Sequence, residues 1–422
     1  MDTIFALSSG RPPAAIAVIR ISGPRAHDAA RQIAGELPAA RTAAVRELRN
    51  PQSGDLLDEA LVLRFDGPAS STGEDSVEFQ CHGGRAVVDA VLGALAAIDG
   101  LRLAEPGEFT RRAFDNGRID LTEAEGLADL IEAETESQRK AALALAEGGL
   151  RQQIATWQER LLDLSAAAER AIDYDEEDAA VDPLLVAGVD ALAAELREWL
   201  ERPRAEPLKD GVRVVVAGPP NAGMSSQVNA IAGQERAIVT DIPGTTRDHI
   251  EVPLALGGVP IVLTDTAGLR ETKDRVEAIG VERAGALADA ADVLVWLGGP
   301  RDAPKHPRLI AVHAKCDLEA RGAAPAGSLA VSSVTGVGLK ALLEWIATEA
   351  RAILPGEGAI ALNRRQAGLI GEAMEALLAP GDDAVLIAEN LRLARNRFDR
   401  LTGRAGVEDV LDALFGRFCL GK

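Results

Sequence analysis

The sequence predicts a multidomain protein of mixed α/β and α+β class, in which an α/β unit is inserted into a helical domain that follows an α+β domain. Three observations support this prediction. The 422 residues exceed one ordinary core, because a domain usually holds about 100–200 residues. The middle of the chain alternates short β-branched runs with helical runs, which is typical of a parallel sheet. Helical sequence rich in Ala, Leu and Glu stands on both sides of that alternation.

The composition is that of an ordinary globular protein, with 47% hydrophobic and 26% charged residues. No apolar run approaches the ~18–20 residues that cross a bilayer, and the N-terminus lacks a signal-peptide pattern, so we expect a soluble protein without membrane association.

The three cysteines lie far apart without CxxC spacing, which favours a reducing cytoplasm over a disulfide framework. The net charge of −20 is unfavourable for gripping nucleic acid through phosphates, so any RNA contact is expected to be local or shared.

Residues 1–117 form the first predicted domain, an α+β unit. The runs IAVIRIS and ALVLRF have the pattern of strands, and AVVDAVLGALAAID has the pattern of a helix. From about Leu121 the sequence becomes helical, and it is helical again through PLLVAGVDALAAELREWLERPR, so 118–208 is predicted as the first part of a helical domain. Thr122 and Glu125 have the spacing of a capping box at the start of these helices.

Residues 209–348 are predicted to form the α/β unit. Five β-like runs alternate there with helices, which implies a mostly parallel sheet: VRVVVAG, PIVLTDTAG, DVLVWLGG, RLIAVHAKCD and SLAVSSVTG. Residues 349–422 return to helix and form the second part of the helical domain. We prefer this insertion to four domains in a row, because each helical half alone would leave its apolar stripe poorly covered.

The segment GPPNAGMSS, Gly218–Ser226, lies between a predicted strand and a helix, where backbone amides and the helix N-terminus face an anion. It follows the P-loop pattern G-x-x-x-x-G-K-[ST], except that Met224 occupies the lysine position. The later segments GTTRD, DTAG, AKCD and SSVTG stand in the order expected of a switch, a magnesium segment and two base-binding loops. Because ligands bind beyond the carboxyl ends of parallel strands, these loops predict one guanine-nucleotide site.

The segments PNAG, TDIPGTTRD and DTAGLRETKDRVEAIGVERA resemble the G domain of the MnmE (TrmE) family of tRNA uridine-modification GTPases. The segments STGEDSVEFQCHGG, AEPGEFTRRAFDNGRIDLTEAEGLADLI and FCLGK are similar to that family's N-terminal domain, helical domain and C-terminal signature, so the resemblance covers nearly the whole chain. It implies a Ras-like P-loop G domain inserted into a discontinuous helical domain, preceded by an α+β folate-binding domain that dimerises.

The resemblance implies a GTP hydrolase that uses Mg²⁺ and K⁺. Glu277 matches the catalytic residue that orients the attacking water, with an ordinary helix-surface glutamate as the alternative. Ser225 and Thr246 match the Mg²⁺ ligands, and Asp265 would hold that ion through water. Four residues match the positions around K⁺, which supplies the positive charge of an arginine finger: Asn221, Thr240, Ile242 and Thr245. The other matching GTP-binding positions are Ala222, Gly223, Met224, Ser226, Asp241, Pro243, Gly244, Thr266, Ala267, Gly268, Lys315, Asp317, Ser332 and Ser333.

The resemblance also implies a site for 5-formyl- or methylene-tetrahydrofolate in the N-terminal domain. Arg20, Glu78 and Arg118 match its binding positions, because a guanidinium suits the glutamyl carboxylates and a carboxylate suits the pterin N–H groups. A surface or interdomain ion pair is the alternative for each. Cys419 matches the terminal cysteine of the modification centre, with the folate-binding position Lys422 close by, and a buried inert cysteine is the alternative.

The function implied by the resemblance is tRNA modification by a homodimer in the cytoplasm. With an MnmG-like partner protein that carries FAD, in a heterotetramer, it would install a folate-derived carboxymethylaminomethyl or aminomethyl group at C5 of the wobble uridine (U34) of certain tRNAs. Potassium-dependent GTP hydrolysis would drive the assembly. A ribosome-assembly GTPase would share the G domain but would not explain CHGG, GEFTRRAFDNGRIDL or FCLGK.

Several residues depart from the family pattern. Met224 removes an ammonium group from the phosphates, and a charge-assisted contact of this kind is worth about 1.5–3 kcal/mol. Ala314 stands where the base-recognition motif has asparagine, and Gln227 replaces a leucine, putting an amide where the helix packs on the sheet. Ala14 and Ala15 stand where the family usually has glycines. A catalytically impaired, nucleotide-binding scaffold of the same complex is therefore the alternative function.

Overall fold

The computed structural model describes most of the chain, in these ranges: 2–173, 182–219, 221–234, 236–237, 251–265, 290–356, 358–381, 383–405, 408–418 and 420–421. The chain divides into two compact units. The first comprises Met1–Ala128 and Asp399–Lys422, and the second comprises Asp129–Phe398. No helix within the described ranges is long and apolar enough to cross a membrane.

The first unit is built on a six-stranded sheet with the order β3-β4-β5-β2-β1-β6. Neighbouring strands run antiparallel, except that β1 and β6 are parallel. The strands are β1 Thr3–Leu7, β2 Ile16–Ser22, β3 Ala43–Arg49, β4 Leu56–Phe65, β5 Ser76–His82 and β6 Leu101–Leu103. The runs IAVIRIS and ALVLRF are thus confirmed as strands, since alternate residues such as Ile19, Ile21 and Val62 point into the core.

Helices Ala26–Ala34 and Arg85–Ala96 bury their apolar stripes against this sheet. The chain continues through helix Glu108–Asp115, and the C-terminal helix Glu408–Phe415 packs beside it, with the rings of Phe114 and Phe415 6.3 Å apart. The first unit therefore contains both ends of the described chain, and it has the predicted α+β character.

The capping box predicted at Thr122 and Glu125 is wrong by two residues. Helix Leu121–Glu132 is capped by Asp120, whose Oδ1 accepts the backbone N–H of Glu123 at 2.9 Å. In return, Glu123 Oε2 accepts the backbone N–H of Asp120 at 2.7 Å. Thr122 lies inside the helix and its hydroxyl donates to Asp120. Aspartate is preferred over threonine as an N-cap, and its charge also favours the positive end of the helix dipole.

The second unit contains a seven-stranded sheet with the order β13-β12-β11-β7-β10-β9-β8. Its strands are β7 Val212–Ala217, β8 Arg236–Ala237, β9 Glu251–Leu256, β10 Val259–Asp265, β11 Val293–Trp296, β12 Leu309–Ala314 and β13 Ser328–Val331. The five strands from β13 to β10 are mutually parallel, and β9 and β8 continue the sheet in antiparallel pairing. The five predicted strands and the mostly parallel sheet are confirmed.

Helices precede, cover and follow this sheet. They are Glu136–Ala146, Gly149–Asp173, Pro183–Glu201, Glu206–Asp210, Met224–Gln234, Leu339–Ile353, Arg364–Leu377 and Ala384–Thr402, with short 3-10 helices at Pro300–Asp302 and Glu319–Arg321.

The helical segments before and after the sheet pack on each other. The Trp157 ring meets Trp199 edge-on at 5.3 Å and stacks on Phe398 at 5.6 Å. Trp157 Nε1 also donates a 2.9 Å hydrogen bond to Glu195. The helical domain is therefore discontinuous, with the α/β domain inserted in it, and the alternative of four domains in a row is wrong. A central parallel strand that leads through a P-loop into a helix gives the inserted domain its Ras-like character.

Candidate functional site

The predicted phosphate-binding segment, Gly218–Ser226, leads from the end of β7 into helix Met224–Gln234. β7 is the central strand, and Val214 and Val216 are fully buried, so the position of the loop is fixed by the core. Asn221 and Gly223 have positive φ angles of 64° and 98°. Left-handed residues of this kind turn successive backbone N–H groups toward a common side, which is the geometry of an anion-binding nest.

Two glycines of the segment lie too close to other side chains to be replaced freely. A Cβ at Gly218 would lie 3.0 Å from Leu297 Cβ, and a Cβ at Gly223 would lie 3.1 Å from Lys315 Cε. Glycine is therefore favoured at 223 by the positive φ, and a larger side chain there would also require Lys315 to shift.

The second residue of the helix contacts the end of the neighbouring strand. Ser225 Oγ donates a 2.7 Å hydrogen bond to Oδ2 of Asp265, the last residue of β10. Asp265 is only 2% exposed. A hydroxyl and a carboxylate are hard oxygen ligands, so the residues of this pair are of the kind that binds a magnesium ion.

The loop after β12 is tied to the phosphate-binding segment. Lys315 Nζ donates a 2.9 Å hydrogen bond to the backbone oxygen of Asn221, and Lys315 itself has a φ of 60°. In the loop after β13, the buried Ser332 Oγ accepts the backbone N–H groups of Val334 and Thr335 at 3.2 and 3.1 Å. Both base-binding loops predicted from the sequence are thus fixed by internal hydrogen bonds at the carboxyl end of the sheet.

A cavity of about 220 Å³ lies between these loops and the helix. It is lined by Ala222, Gly223, Ser226, Gln227, Ala314, Lys315, Asp317, Leu318, Ser333 and Val334. Six of these residues belong to the predicted GTP-binding set, and two of the others, Gln227 and Ala314, are among the departures from the family pattern. Asp317 is exposed, so its carboxylate can accept hydrogen bonds from a ligand in the cavity.

The departing residues are buried. Met224 is 5% exposed and belongs to the apolar core under the sheet, together with Val214 and Leu263. Ala314 is 3% exposed at the end of β12. Gln227 is 1% exposed, and within the described part of the chain its Nε2 has no hydrogen-bond partner.

The remaining predicted GTP and metal residues lie outside the described residues. They are Thr240, Asp241, Ile242, Pro243, Gly244, Thr245, Thr246, Thr266, Ala267, Gly268 and Glu277. Of the four predicted potassium positions, only Asn221 is described.

In the first unit, Arg20 and Glu78 are brought together. They are directly paired on strands β2 and β5, and Arg20 Nε donates to Glu78 Oε1 at 2.9 Å. Their side chains are 22% and 19% exposed, and the guanidinium lies over the Phe109 ring, 5.6 Å from its centroid. Arg118 is exposed in the loop after helix Glu108–Asp115. The pair keeps polar atoms accessible to a charged ligand, and it is also a satisfied ion pair.

The end of the chain lies against the same sheet. Cys419 and Lys422 lie outside the described residues, but Leu420 forms a β-bridge with Pro106. A Cβ on Gly421 would lie 2.0 Å from the backbone oxygen of Leu7, which shows how closely the tail approaches β1. Within β1, Ala6 is paired with Arg20 of β2. The tail therefore ends one strand away from Arg20.

Sequence reasoning missed an ion cluster at the base of this unit. Arg112, whose side chain is 8% exposed, contacts the carboxylates of Asp2, Glu74 and Glu108 at 2.7, 3.1 and 3.0 Å. Burial alone would lower the pKa of Arg112, but hydrogen bonds to Glu108 and Glu74 outweigh it and raise that pKa. The spacing of Glu108 and Arg112, four residues apart on a helix, was the available signal.

Comparisons with known proteins cover the whole chain. A family described as "GTP-binding protein TrmE N-terminus" matches residues 3–118, and one described as "MnmE helical domain" matches residues 121–419. The chain is 53% identical over 427 residues to a protein of Erythrobacter litoralis (strain HTCC2594) named tRNA modification GTPase MnmE, with 100% of both chains covered. It is 54% identical over 429 residues to a protein of the same name from Rhizorhabdus wittichii, covering 100% of this chain and 97% of that one. A solved G domain of the T. maritima FeoB iron transporter is 26% identical, covering 33% of this chain and 98% of that one, with a TM-score of 0.25.

Proposed function

Because the chain belongs to the MnmE family of tRNA modification GTPases, we propose that it binds and hydrolyses GTP at the end of its seven-stranded sheet and uses this cycle in tRNA modification. The observation that carries the proposal is the bond from Lys315 Nζ to the backbone oxygen of Asn221. It joins the base-binding loop to the phosphate-binding segment, so that one nucleotide can contact both.

Ser225 and Thr246 would hold magnesium, and Asp265 would bind the ion's water. The 2.7 Å contact between Ser225 and the buried Asp265 supports this assignment. When bound, the ion neutralises charge on the β- and γ-phosphates. Glu277 would orient the attacking water through a hydrogen bond from its carboxylate. Potassium would be held at four positions: Asn221, Thr240, Ile242 and Thr245.

We further propose that the N-terminal segment binds a tetrahydrofolate, in the 5-formyl or methylene form. Arg20, Glu78 and Arg118 would bind it together with Lys422, and Cys419 would stand at the modification centre. The closeness of the tail to β1 supports this arrangement. The proposed division of the chain is 1–117 for folate binding and dimerisation, 118–208 and 349–422 for the two helical parts, and 209–348 for the G domain.

The proposed product is a wobble uridine (U34) that carries a folate-derived carboxymethylaminomethyl or aminomethyl group at C5. The chain would act in the cytoplasm as a homodimer, in a heterotetramer with an MnmG-like protein that carries FAD. With a net charge of −20, this chain is poorly suited to gripping tRNA alone, and a partner that shares the RNA contact answers that difficulty.

A second candidate function is a catalytically impaired nucleotide-binding scaffold of the same complex. Met224 favours it, because a thioether that is 5% exposed in the apolar core carries no positive charge to the phosphates. The scaffold would keep the fold and the assembly but not the hydrolytic step.

The test is complementation of a bacterium that lacks its own MnmE protein, with mass spectrometry of the wobble nucleosides of its tRNA. The natural chain, Met224→Lys and Asp265→Asn are compared. We expect C5-modified uridine with the natural chain and little with Asp265→Asn. If only Met224→Lys produced the modified uridine, the scaffold function would be favoured. If none of the three chains produced it, the tRNA function would be refuted.

A further inference from the structure

Gln227 lies in the helix Met224–Gln234, three residues after Met224, and lines the 220 Å³ cavity. Ala314 lines the same cavity and offers only a methyl group. We propose that Gln227 is a base-recognition residue, whose side-chain amide donates a hydrogen bond to the acceptor edge of a 6-oxopurine in this cavity. The inference rests on the proposed GTP-binding function and names a residue that recognises the base together with Asp317.

The Gln227 side chain is buried with its amide nitrogen unpartnered among the described residues. Its exposed fraction is 1%. A buried donor without an acceptor destabilises the folded chain, which makes such groups rare in folded proteins. A ligand that brings an acceptor into the cavity removes this cost, so the amide favours the occupied state.

The polar groups that line the cavity match the hydrogen-bonding edge of guanine. The Asp317 carboxylate only accepts hydrogen bonds, so it selects a base edge with N–H donors. The Gln227 amide has a donor nitrogen and an acceptor oxygen, and its nitrogen, which has no partner among the described residues, pairs with an acceptor on the base. Guanine has both, with acceptors at O6 and N7 and donors at N1 and N2, whereas adenine has a donor amino group at position 6. Adenine in the same orientation would turn an acceptor toward Asp317 and a donor toward the Gln227 amide nitrogen, and both contacts would be unfavourable.

Ala314 offers no hydrogen bond to a base. It is 3% exposed and lines the same cavity, but an alanine side chain has no polar atom to offer a base. The amide of Gln227 therefore supplies from the helix a donor that the strand end lacks. The departures from the family pattern at 227 and 314 are therefore complementary.

The opposing explanation is that Gln227 is only an unfavourable core residue. In that case an apolar side chain of similar size would raise stability and leave base selection unchanged, because replacing an unpaired buried polar group is neutral or stabilising. The two explanations predict different effects on GDP affinity.

The experiment measures dissociation constants of GDP and ADP by calorimetry with the full chain. The variants are Gln227→Leu and Gln227→Met, which both remove the donor, and Gln234→Leu as the control, an exposed glutamine at the end of the same helix. We expect GDP to bind about 5- to 10-fold more weakly to both 227 variants, in line with the loss of one hydrogen bond. ADP affinity should not fall, and the control should match the natural chain. Ala314→Asn in the Gln227→Leu background should regain GDP affinity.

Unchanged GDP affinity in both 227 variants, with an unchanged or higher melting temperature, would overturn the inference and leave the proposed function intact. If the natural chain binds GDP too weakly to measure, the 227 variants and the control are compared in the Met224→Lys background instead. If neither the natural chain nor Met224→Lys binds any guanine nucleotide, the proposed function fails and this inference fails with it.

Discussion

The hydroxyl oxygen of Ser225 lies 2.7 Å from Oδ2 of Asp265, so the first turn of the phosphate-binding helix is joined to the end of strand β10. Asp265 is 2% exposed and pairs within the sheet with Val216 of the central strand. Because both partners are held by regular elements, the geometry of the proposed magnesium ligands is set by the core of the sheet rather than by a loop.

Ser225→Ala removes the hydroxyl that this account assigns to magnesium. We expect GTP affinity in the natural chain to rise when Mg²⁺ replaces EDTA, and this rise to be reduced by about 10-fold or more in the variant, since contacts to charged groups are worth about 1.5–3 kcal/mol. Nucleotide titrations with and without Mg²⁺ measure it. Ser225→Thr keeps a hydroxyl and should retain the effect; equal Mg²⁺ dependence in the alanine variant would count against the assignment.

Gly223→Ala places a methyl group 3.1 Å from Lys315 Cε at a φ of 98°. A strained left-handed backbone costs roughly 1–3 kcal/mol, so we expect lower stability and weaker GDP binding. Gly233→Ala, in the helix that follows Gly223, is the control, because a Cβ there meets nothing within 4 Å. Alanine favours a helix over glycine, so the control should stabilise by up to about 1 kcal/mol. Similar melting temperatures for the two variants would contradict the close approach.

Glu78→Gln separates folate binding from a simple ion pair. The change keeps the shape of the side chain but removes the negative charge that faces Arg20 at 2.9 Å. If Glu78 binds the pterin, calorimetric affinity for 5-formyltetrahydrofolate should fall by about 10-fold, because a hydrogen bond to a charged group is lost. Glu47→Gln, an exposed carboxylate on the same sheet, is the control. A loss of thermal stability with unchanged folate affinity would instead identify a structural ion pair.

Glu108 predicts a pH dependence of stability. Burial raises the pKa of its carboxyl group, but hydrogen bonds from Arg102, from the backbone N–H of Glu105 and from Arg112 hold the pKa below its ordinary value of 4.5. A pKa that is lower in the folded state contributes stability above pH 4.5, and that contribution is lost as pH falls through the folded value. Glu108→Gln should therefore cost about 1–3 kcal/mol at pH 7.

The variant should lose less stability than the natural chain between pH 5 and pH 3, which calorimetric melting of the full chain measures. Glu105→Gln, an exposed neighbour, serves as the control. Parallel pH profiles for the natural chain and Glu108→Gln would show that this carboxylate does not stabilise the unit.

Much of the fold could be predicted from local patterns. The parallel strands β7 and β10 to β13 are short, apolar and β-branched, so their sequence differs clearly from the helices between them. Strand β9, EVPLAL, was missed because it contains a proline, which argues against the interior of a sheet. The cap of helix Leu121–Glu132 was misplaced because Asp120 and Glu123 stand two residues before an equally spaced Thr122 and Glu125.

In the candidate site as well, some features could be predicted from the sequence and others could not. The phosphate-binding segment and the base-binding loops carry their own sequence patterns, so their residues could be named in advance. The contacts that organise them could not, because the bond of Lys315 to Asn221 joins residues 94 positions apart. The unpartnered amide of Gln227 likewise depends on which neighbours surround it in the folded chain.

Phosphate release from Mg²⁺-GTP, measured in KCl and in NaCl with Met224→Lys alongside, decides whether this chain hydrolyses GTP. We expect turnover by the natural chain that is faster in potassium than in sodium. Restoring an ammonium beside the phosphates should raise this turnover by roughly 10- to 100-fold, since a charge-assisted contact is worth about 1.5–3 kcal/mol. Potassium-dependent turnover by Met224→Lys, with none by the natural chain, would contradict this expectation and leave a scaffold with a disabled switch.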